Sequence, residues 1–186
     1  MKIGIYVGSF NPVHKAHVKI VNHLLKYLDK IIVIPTGNYW DKNDLISVEH
    51  RINMWKFYQN EKIIIDEEHN NLKYTYLILN ELSKIYPNDE LYLIIGADNL
   101  IDFDKWQNYQ DILKHQLLII NRDNIDTKYY LNKFNIKNYI IVSDLENQNI
   151  SSTMIRDLLK TQNKKELNKL INSKVLDYIT KYNLYQ

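Results

Sequence analysis

The sequence predicts an α/β fold: one doubly wound parallel sheet with helices on both faces and a helical C-terminal end. Three observations carry this. Short apolar runs alternate with stretches of helical periodicity, which is the pattern of β-α-β units rather than of hairpins. The runs Ile31-Ile32-Val33-Ile34 and Leu91-Tyr92-Leu93-Ile94-Ile95 are apolar throughout, as strands buried on both faces must be. Gly8 and Gly96 each lie just past the end of such a run. In open parallel sheets the carboxyl ends of the strands form the ligand crevice where strand order reverses, so the two glycines should rim one crevice although they are far apart in sequence. This is a Rossmann-like arrangement, and 186 residues suit a single domain, 1–186, with a real core.

The elements follow in order. Lys2 to Val7 reads as the first strand, and His17 to Leu28 as a helix with Val18, Val21, Leu24, Leu25 and Leu28 facing inward. Ile31 to Ile34 is the second strand, stopped by Pro35, and Thr36 to Ile46 a loop with Gly37-Asn38 as its turn signal. Ser47 is a candidate N-cap for a helix over Val48 to Tyr58. Lys62 to Ile65 is a short third strand, Asp66 to Lys73 a loop, and Tyr74 to Ile85 a helix ended by Pro87. Leu91 to Ile95 is the most apolar strand, followed by helical pieces over Asn99 to Phe103 and Lys105 to Leu113. Leu117 to Ile120 and Tyr139 to Val142 complete the sheet. Helices are expected over Ser151 to Lys160, Lys164 to Ile171 and Lys174 to Tyr182.

Composition narrows the function classes. Hydrophobic residues make up 45% and charged residues 25%, and the net charge is only +2, which gives no general reason to expect nucleic-acid binding. Cysteine is absent, so disulfides and thiolate metal sites are excluded. No apolar run approaches a membrane span, no signal-peptide pattern is present, and a cytoplasmic location is expected.

The chemistry is concentrated in Gly8-Ser9-Phe10-Asn11-Pro12-Val13-His14-Lys15-Ala16-His17. A strand enters this block and a helix leaves it. At such a junction several backbone N–H groups lack intrahelical partners and point along the positive end of the helix dipole, so an anion is the natural occupant. Gly8, with no Cβ, allows close approach. His14 and His17 are spaced to share a face, and two imidazoles beside such N–H groups make a phosphate cradle. The spacing fits neither the dinucleotide fingerprint nor a Walker-type loop. A second candidate is Ser151-Ser152-Thr153 with Arg156 about one turn on. Hydroxyls, first-turn N–H groups and a guanidinium can hold phosphate oxygens, although by itself the run also fits a plain N-cap with a surface arginine. By itself Asp98, just past a buried strand, fits a helix cap, and Trp106 ordinary core.

The first block resembles the G-[ST]-F-[DN]-P-x-H-x-G-H signature of the nucleotidyltransferase superfamily, with Ala16 in place of glycine and Asn11 in place of the commoner aspartate. Ile150-Ser151-Ser152-Thr153-Met154-Ile155-Arg156 resembles its I-S-S-T-x-[IV]-R signature, about 140 residues on. Further segments are similar to the bacterial nicotinate-nucleotide adenylyltransferases. They are Ile94-Ile95-Gly96-Ala97-Asp98, Lys105-Trp106-Gln107 through Leu113, Arg51 with Met54, Tyr74-Thr75 preceded by Lys73 where serine is usual, and Val175-x-x-Tyr178-Ile179 with Leu184-Tyr185. The loop after the second strand departs from the family: Lys42 matches, but Tyr39-Trp40-Asp41 stand where Pro-Pro-His is usual.

The resemblance implies transfer of AMP from ATP to nicotinate mononucleotide, giving deamido-NAD and pyrophosphate, with Mg2+ bound mainly through ATP and water. It implies that His14, His17 and Arg156 are catalytic. ATP would be held by these residues with Gly8, Ser9, Phe10 and Asn11, by Gly96 and Asp98, and by Ser151, Ser152 and Thr153. The acceptor would meet Lys42, Arg51 and Arg122, with Arg51 on its phosphate. Trp106 would stack on the pyridine ring, with amides near Thr75 or Tyr76 and near Gln107 on the carboxylate, and Tyr74 also on the acceptor. Three other readings stay open at this point. One is the same chemistry on nicotinamide mononucleotide or phosphopantetheine. Another is a non-catalytic nucleotide-binding module. The last is a metallohydrolase using His14, His17 and Asp98, which would need a third close ligand for zinc.

Overall fold

The computed structural model describes residues 1–39, 45–121, 125–146, 149–161 and 163–185. Strands β1 (Lys2–Gly8), β2 (Lys30–Pro35), β3 (Ile63–Ile65), β4 (Glu90–Gly96), β5 (Gln116–Ile120) and β6 (Tyr139–Val142) form one sheet in the order β3-β2-β1-β4-β5-β6. Every pairing is parallel. The chain runs outward from β1 to β3, then crosses back to pair β4 with the other side of β1. The order therefore reverses between β1 and β4, and the crevice lies beyond their carboxyl ends.

Alternation along the strands divides the core in two. Ile31, Val33, Tyr92, Ile94, Leu118 and Ile120 face one layer. That layer contains α1 (Lys15–Leu24), α2 (Val48–Lys56), α6 (Ser152–Lys160), α7 (Lys164–Leu170) and α8 (Ser173–Lys181). Ile3, Ile5, Ile32, Ile34, Leu91, Leu93, Ile95, Leu117 and Ile119 face the other, with α3 (Thr75–Ile85), α4 (Tyr109–Ile112) and α5 (Thr127–Lys133). Each strand has apolar partners on both sides, which is why its sequence shows no polar alternation. Gly4 is required by packing: a Cβ there would lie 2.6 Å from Leu28 Cδ1 and 2.8 Å from Ile94 Cδ1.

Several boundaries differ from expectation, each for a local reason. α1 starts two residues earlier than the periodicity suggests and stops at Leu24, because the apolar spacing continues through the turn that follows and still brings Leu28 into the core. His14 is consequently the N-cap and His17 sits in the first turn. The first helical piece after β4 is a 3-10 turn, Ala97–Leu100, and a second such turn, Phe103–Lys105, precedes α4. Ser47 precedes α2 without capping it through its side chain. α5 was not expected: only Thr127 and Leu131 of its seven residues are buried, too few to leave a periodic stripe, and Asp126 starts it by accepting the Tyr129 N–H. No helix among the described residues is long and apolar enough to cross a membrane.

Candidate active site

Three adjoining hollows of about 220, 180 and 500 Å³ follow the carboxyl ends of the strands. The first and second share His17, Ile20 and Ile120; the second and third share Val7 and Trp106. They make one crevice across the point where strand order reverses.

The first hollow lies between the beginnings of two helices. His14, Ala16 and His17 line it from α1, and Ser151 and Ser152 from the start of α6. The imidazoles of His14 and His17 stack with centroids 3.6 Å apart and planes 19° from parallel. The His14 N–H donates to His17 Nδ1 at 3.4 Å. This contact turns Nδ1 of His17 toward the backbone of the loop. The edges of Phe10 and Tyr6 rest on the His17 ring at centroid distances of 5.0 and 6.5 Å, fixing its plane.

The loop between β1 and α1 is braced from behind through its carbonyls. Arg51 Nη1 donates to Ser9 O at 2.8 Å, Arg156 Nη1 to Asn11 O at 2.9 Å and Ser152 Oγ to Pro12 O at 3.0 Å. Two of these donors are cationic, so carbonyl dipoles that would repel an anion are turned onto positive charge. Pro12 follows a cis peptide bond. On α6, Ser151 Oγ accepts the Met154 N–H, the N-cap arrangement, and Thr153 Oγ1 accepts from Arg156 Nη2. Each Arg156 Nη carries a second hydrogen, so the guanidinium is oriented without being used up. The two motifs, about 140 residues apart, thus form one unit.

This geometry revises part of the expected ATP-binding set. Gly8 and Ser9 line the second hollow, together with Gly96. Phe10 also borders it but is a core residue, 5% exposed with φ 48°, edge-on to Trp55. Its ring occupies the space a Cβ on Gly8 would enter, at 2.8 Å, so Gly8 is needed for Phe10 as much as for a ligand. Asn11 is buried and its side-chain oxygen accepts from Ile46 N–H and the Tyr185 hydroxyl, which turns it inward rather than toward a nucleotide. Ser152 donates its proton to Pro12 O, leaving its main-chain N–H as the group suited to an anion. Asp98 is half-buried in the turn Ala97–Leu100, whose contribution to the hollow wall is Asn99.

The third hollow is lined by Val7, Thr36, Leu72, Ile78 and Ile112, with Lys73, Tyr74, Thr75, Lys105, Trp106 and Gln107. Trp106 is half-buried: it packs against Phe103 at 5.4 Å and borders two hollows. Tyr74 is the N-cap of α3, so the first amides of that helix, from Thr75 and Tyr76, start at this hollow. The Tyr76 ring packs against the second core layer and stacks on Tyr74 at 6.1 Å. Lys42 and Arg122 lie outside the described residues.

Arg51 requires a correction. Expected on the acceptor phosphate, it is 0% exposed. Its guanidinium donates to Ile46 O at 3.1 Å, Ser9 O at 2.8 Å and Asn38 Oδ1 at 2.7 Å. Burial lowers its pKa to about 10, so it remains charged at neutral pH. It closes the loop after β2 onto the phosphate loop and faces the interior. Asn99 and Asn121 line the crevice without having been anticipated; each lies just past a strand end, and that position was the available signal.

The cytidylyltransferase-like family model matches residues 5–158. A Fusobacterium nucleatum protein named "probable nicotinate-nucleotide adenylyltransferase" is 39% identical over 191 residues, 97% of this chain and 98% of the relative. The structure of Plasmodium falciparum nicotinic acid mononucleotide adenylyltransferase complexed with NaAD superposes with a TM-score of 0.85 at 28% identity, covering 99% of this chain and 97% of that one. The same Plasmodium enzyme complexed with APC gives a TM-score of 0.83. With both helix-start motifs on one crevice and the likeness running the length of the fold, the chain belongs to the cytidylyltransferase-like family, in the group of the nicotinate-nucleotide adenylyltransferases.

Proposed function

We propose that this protein transfers the adenylyl group of ATP to nicotinate mononucleotide. The observation that supports this best is the order of features along the crevice: a phosphate grip between two helix starts, then an aromatic-walled hollow with lysines at its edge. An oxygen of the mononucleotide 5′-phosphate attacks the α-phosphorus of ATP. The bond from that phosphorus to the bridging oxygen of the β-phosphate breaks, and pyrophosphate leaves with the electron pair. The attacking phosphate is already an anion, so no side-chain base is needed. Catalysis is then alignment of two anions and offsetting of the charge that gathers on the leaving group. His14 and His17 act on the reacting phosphates, while Arg156, the Ser151 and Thr153 hydroxyls and the first amides of α6 hold the outer ones.

Among the described residues no group of three His, Cys, Asp or Glu side chains is placed to hold a metal ion. The crevice offers imidazoles, hydroxyls, amides and the ammoniums of Lys19, Lys73 and Lys105 to phosphate oxygens, and its one lining carboxylate among the described residues, Glu146, is paired with Lys19. Mg2+ therefore enters this proposal on the triphosphate, held by its oxygens and water, where it would neutralise phosphate charge.

The test is pyrophosphate release from ATP and Mg2+ with nicotinate or nicotinamide mononucleotide as acceptor. The expected result is a clear preference for the nicotinate; equal or better use of the nicotinamide compound would reassign the acceptor, and no release with either would leave only nucleotide binding. Trp106 gives a second measurement. Trp106→Ala should raise KM for the mononucleotide about 10-fold, the scale of losing one stacked ring, and leave KM for ATP unchanged. Equal effects on both substrates would count against stacking.

A further inference from the structure

Asn11 ties three parts of the chain together. Its side-chain oxygen accepts the Tyr185 hydroxyl at 2.9 Å and the Ile46 N–H at 3.4 Å. Its main-chain carbonyl accepts Arg156 Nη1 at 2.9 Å. A rotation of the Asn11 peptide would break the bond to Arg156, and the side-chain anchors oppose that rotation. Of the two anchors the Tyr185 hydroxyl is the shorter and falls within the ordinary O–H···O range, whereas the Ile46 contact is longer than an ordinary N–H···O bond.

Both aromatic residues next to this junction hold an unusual backbone. Phe10 has φ 48° and Tyr185 has φ 65°, values that bulky L-residues rarely adopt. Surrounding contacts must hold them there, and for Tyr185 the bond to Asn11 is such a contact. Burial also raises the Tyr185 pKa far above the ordinary phenol value, so the hydroxyl keeps its proton and remains a donor at any working pH.

We propose that Tyr185 is a positioning residue of the ATP site: its hydroxyl, acting through Asn11, holds the Arg156 guanidinium at the angle at which it meets the triphosphate. Tyr185 itself touches no reacting atom. The proposal rests on the adenylyl-transfer reading for its kinetics but not for its binding test. α6 keeps an independent attachment to the phosphate loop through Ser152 Oγ and Pro12 O, so losing the hydroxyl changes the aim of Arg156 without undocking the helix.

The variant is Tyr185→Phe, which keeps the ring and removes one hydrogen bond. KM for ATP should rise about 5- to 10-fold, the scale of one such bond. KM for the mononucleotide should stay within about twofold. The same loss of affinity should appear for a non-hydrolysable ATP analogue measured by calorimetry on the full chain. In an Arg156→Ala background the further effect of Tyr185→Phe on analogue affinity should vanish, because the group being aimed is gone. Unchanged ATP affinity in Tyr185→Phe, or a full penalty persisting without Arg156, would overturn the proposal. If the unaltered protein binds the analogue but releases no pyrophosphate, the adenylyl-transfer reading fails while the calorimetry still decides the role of Tyr185.

Discussion

His17→Ala is expected to lower kcat about 10²-fold or more, the cost of losing one preorganised donor to a transition-state oxyanion. The structure gives reasons for so large an effect from one ring. The imidazole is stacked on His14 at 3.6 Å, edged by Phe10 at 5.0 Å, and oriented by the His14 main-chain N–H facing Nδ1. Nothing has to reorganise when negative charge develops on the departing pyrophosphate. The substitution should change KM for either substrate far less than kcat, because the ground-state triphosphate keeps the α6 amides, the α6 hydroxyls and Arg156. Near-normal turnover by a folded His17→Ala protein would mean that the imidazole stands beside the reaction without serving it. His14→Ala is a harsher change, since His14 is 3% exposed and caps α1, so part of its effect would be structural.

The sheet, its order of runs and the two crevice-facing helix starts were legible because each is a local property: an apolar run, a turn glycine, hydroxyls before a periodic stretch. That Gly8 and Gly96 rim one crevice also followed, from the rule that ligands gather at the carboxyl ends of parallel strands. What a motif does not distinguish is its front from its back. Gly8, Ser9, Phe10 and Asn11 are consecutive, and the first three border the crevice, yet Phe10 is built into the core and Asn11 is turned toward Tyr185 and Ile46. The spacing of the signature is the same whether a position meets the nucleotide or holds the loop that does. α5 shows a different limit: seven residues with two buried positions carry no periodicity to read. Tyr178 shows a third. Its hydroxyl is shared by His50 and Asn53 of α2, more than a hundred residues earlier, a meeting that depends on the whole fold.

Arg51→Met is expected to destabilise the protein by about 2–4 kcal/mol, because it removes the donor from the half-buried Ser9 and Ile46 carbonyls and from the Asn38 side chain while filling most of the volume. For a chain of this size that corresponds to a fall of roughly 10 °C in Tm. Arg51→Lys should recover only part of the loss: an ammonium is a point donor and does not reproduce the planar fork that reaches Ile46 O, Ser9 O and Asn38 Oδ1 together. The resemblance, with Met54 in register, assigned this arginine to the acceptor phosphate, and an inward-turned guanidinium leaves no local trace in a motif. The two assignments separate in measurement. An interior clamp lowers Tm and disturbs both substrates through the Ser9 carbonyl, whereas a phosphate ligand would leave Tm unchanged and raise only the KM of the mononucleotide. Thermal unfolding of Arg51→Met, followed by both KM values at a temperature where it is folded, decides between them, and an unchanged Tm would return Arg51 to the substrate.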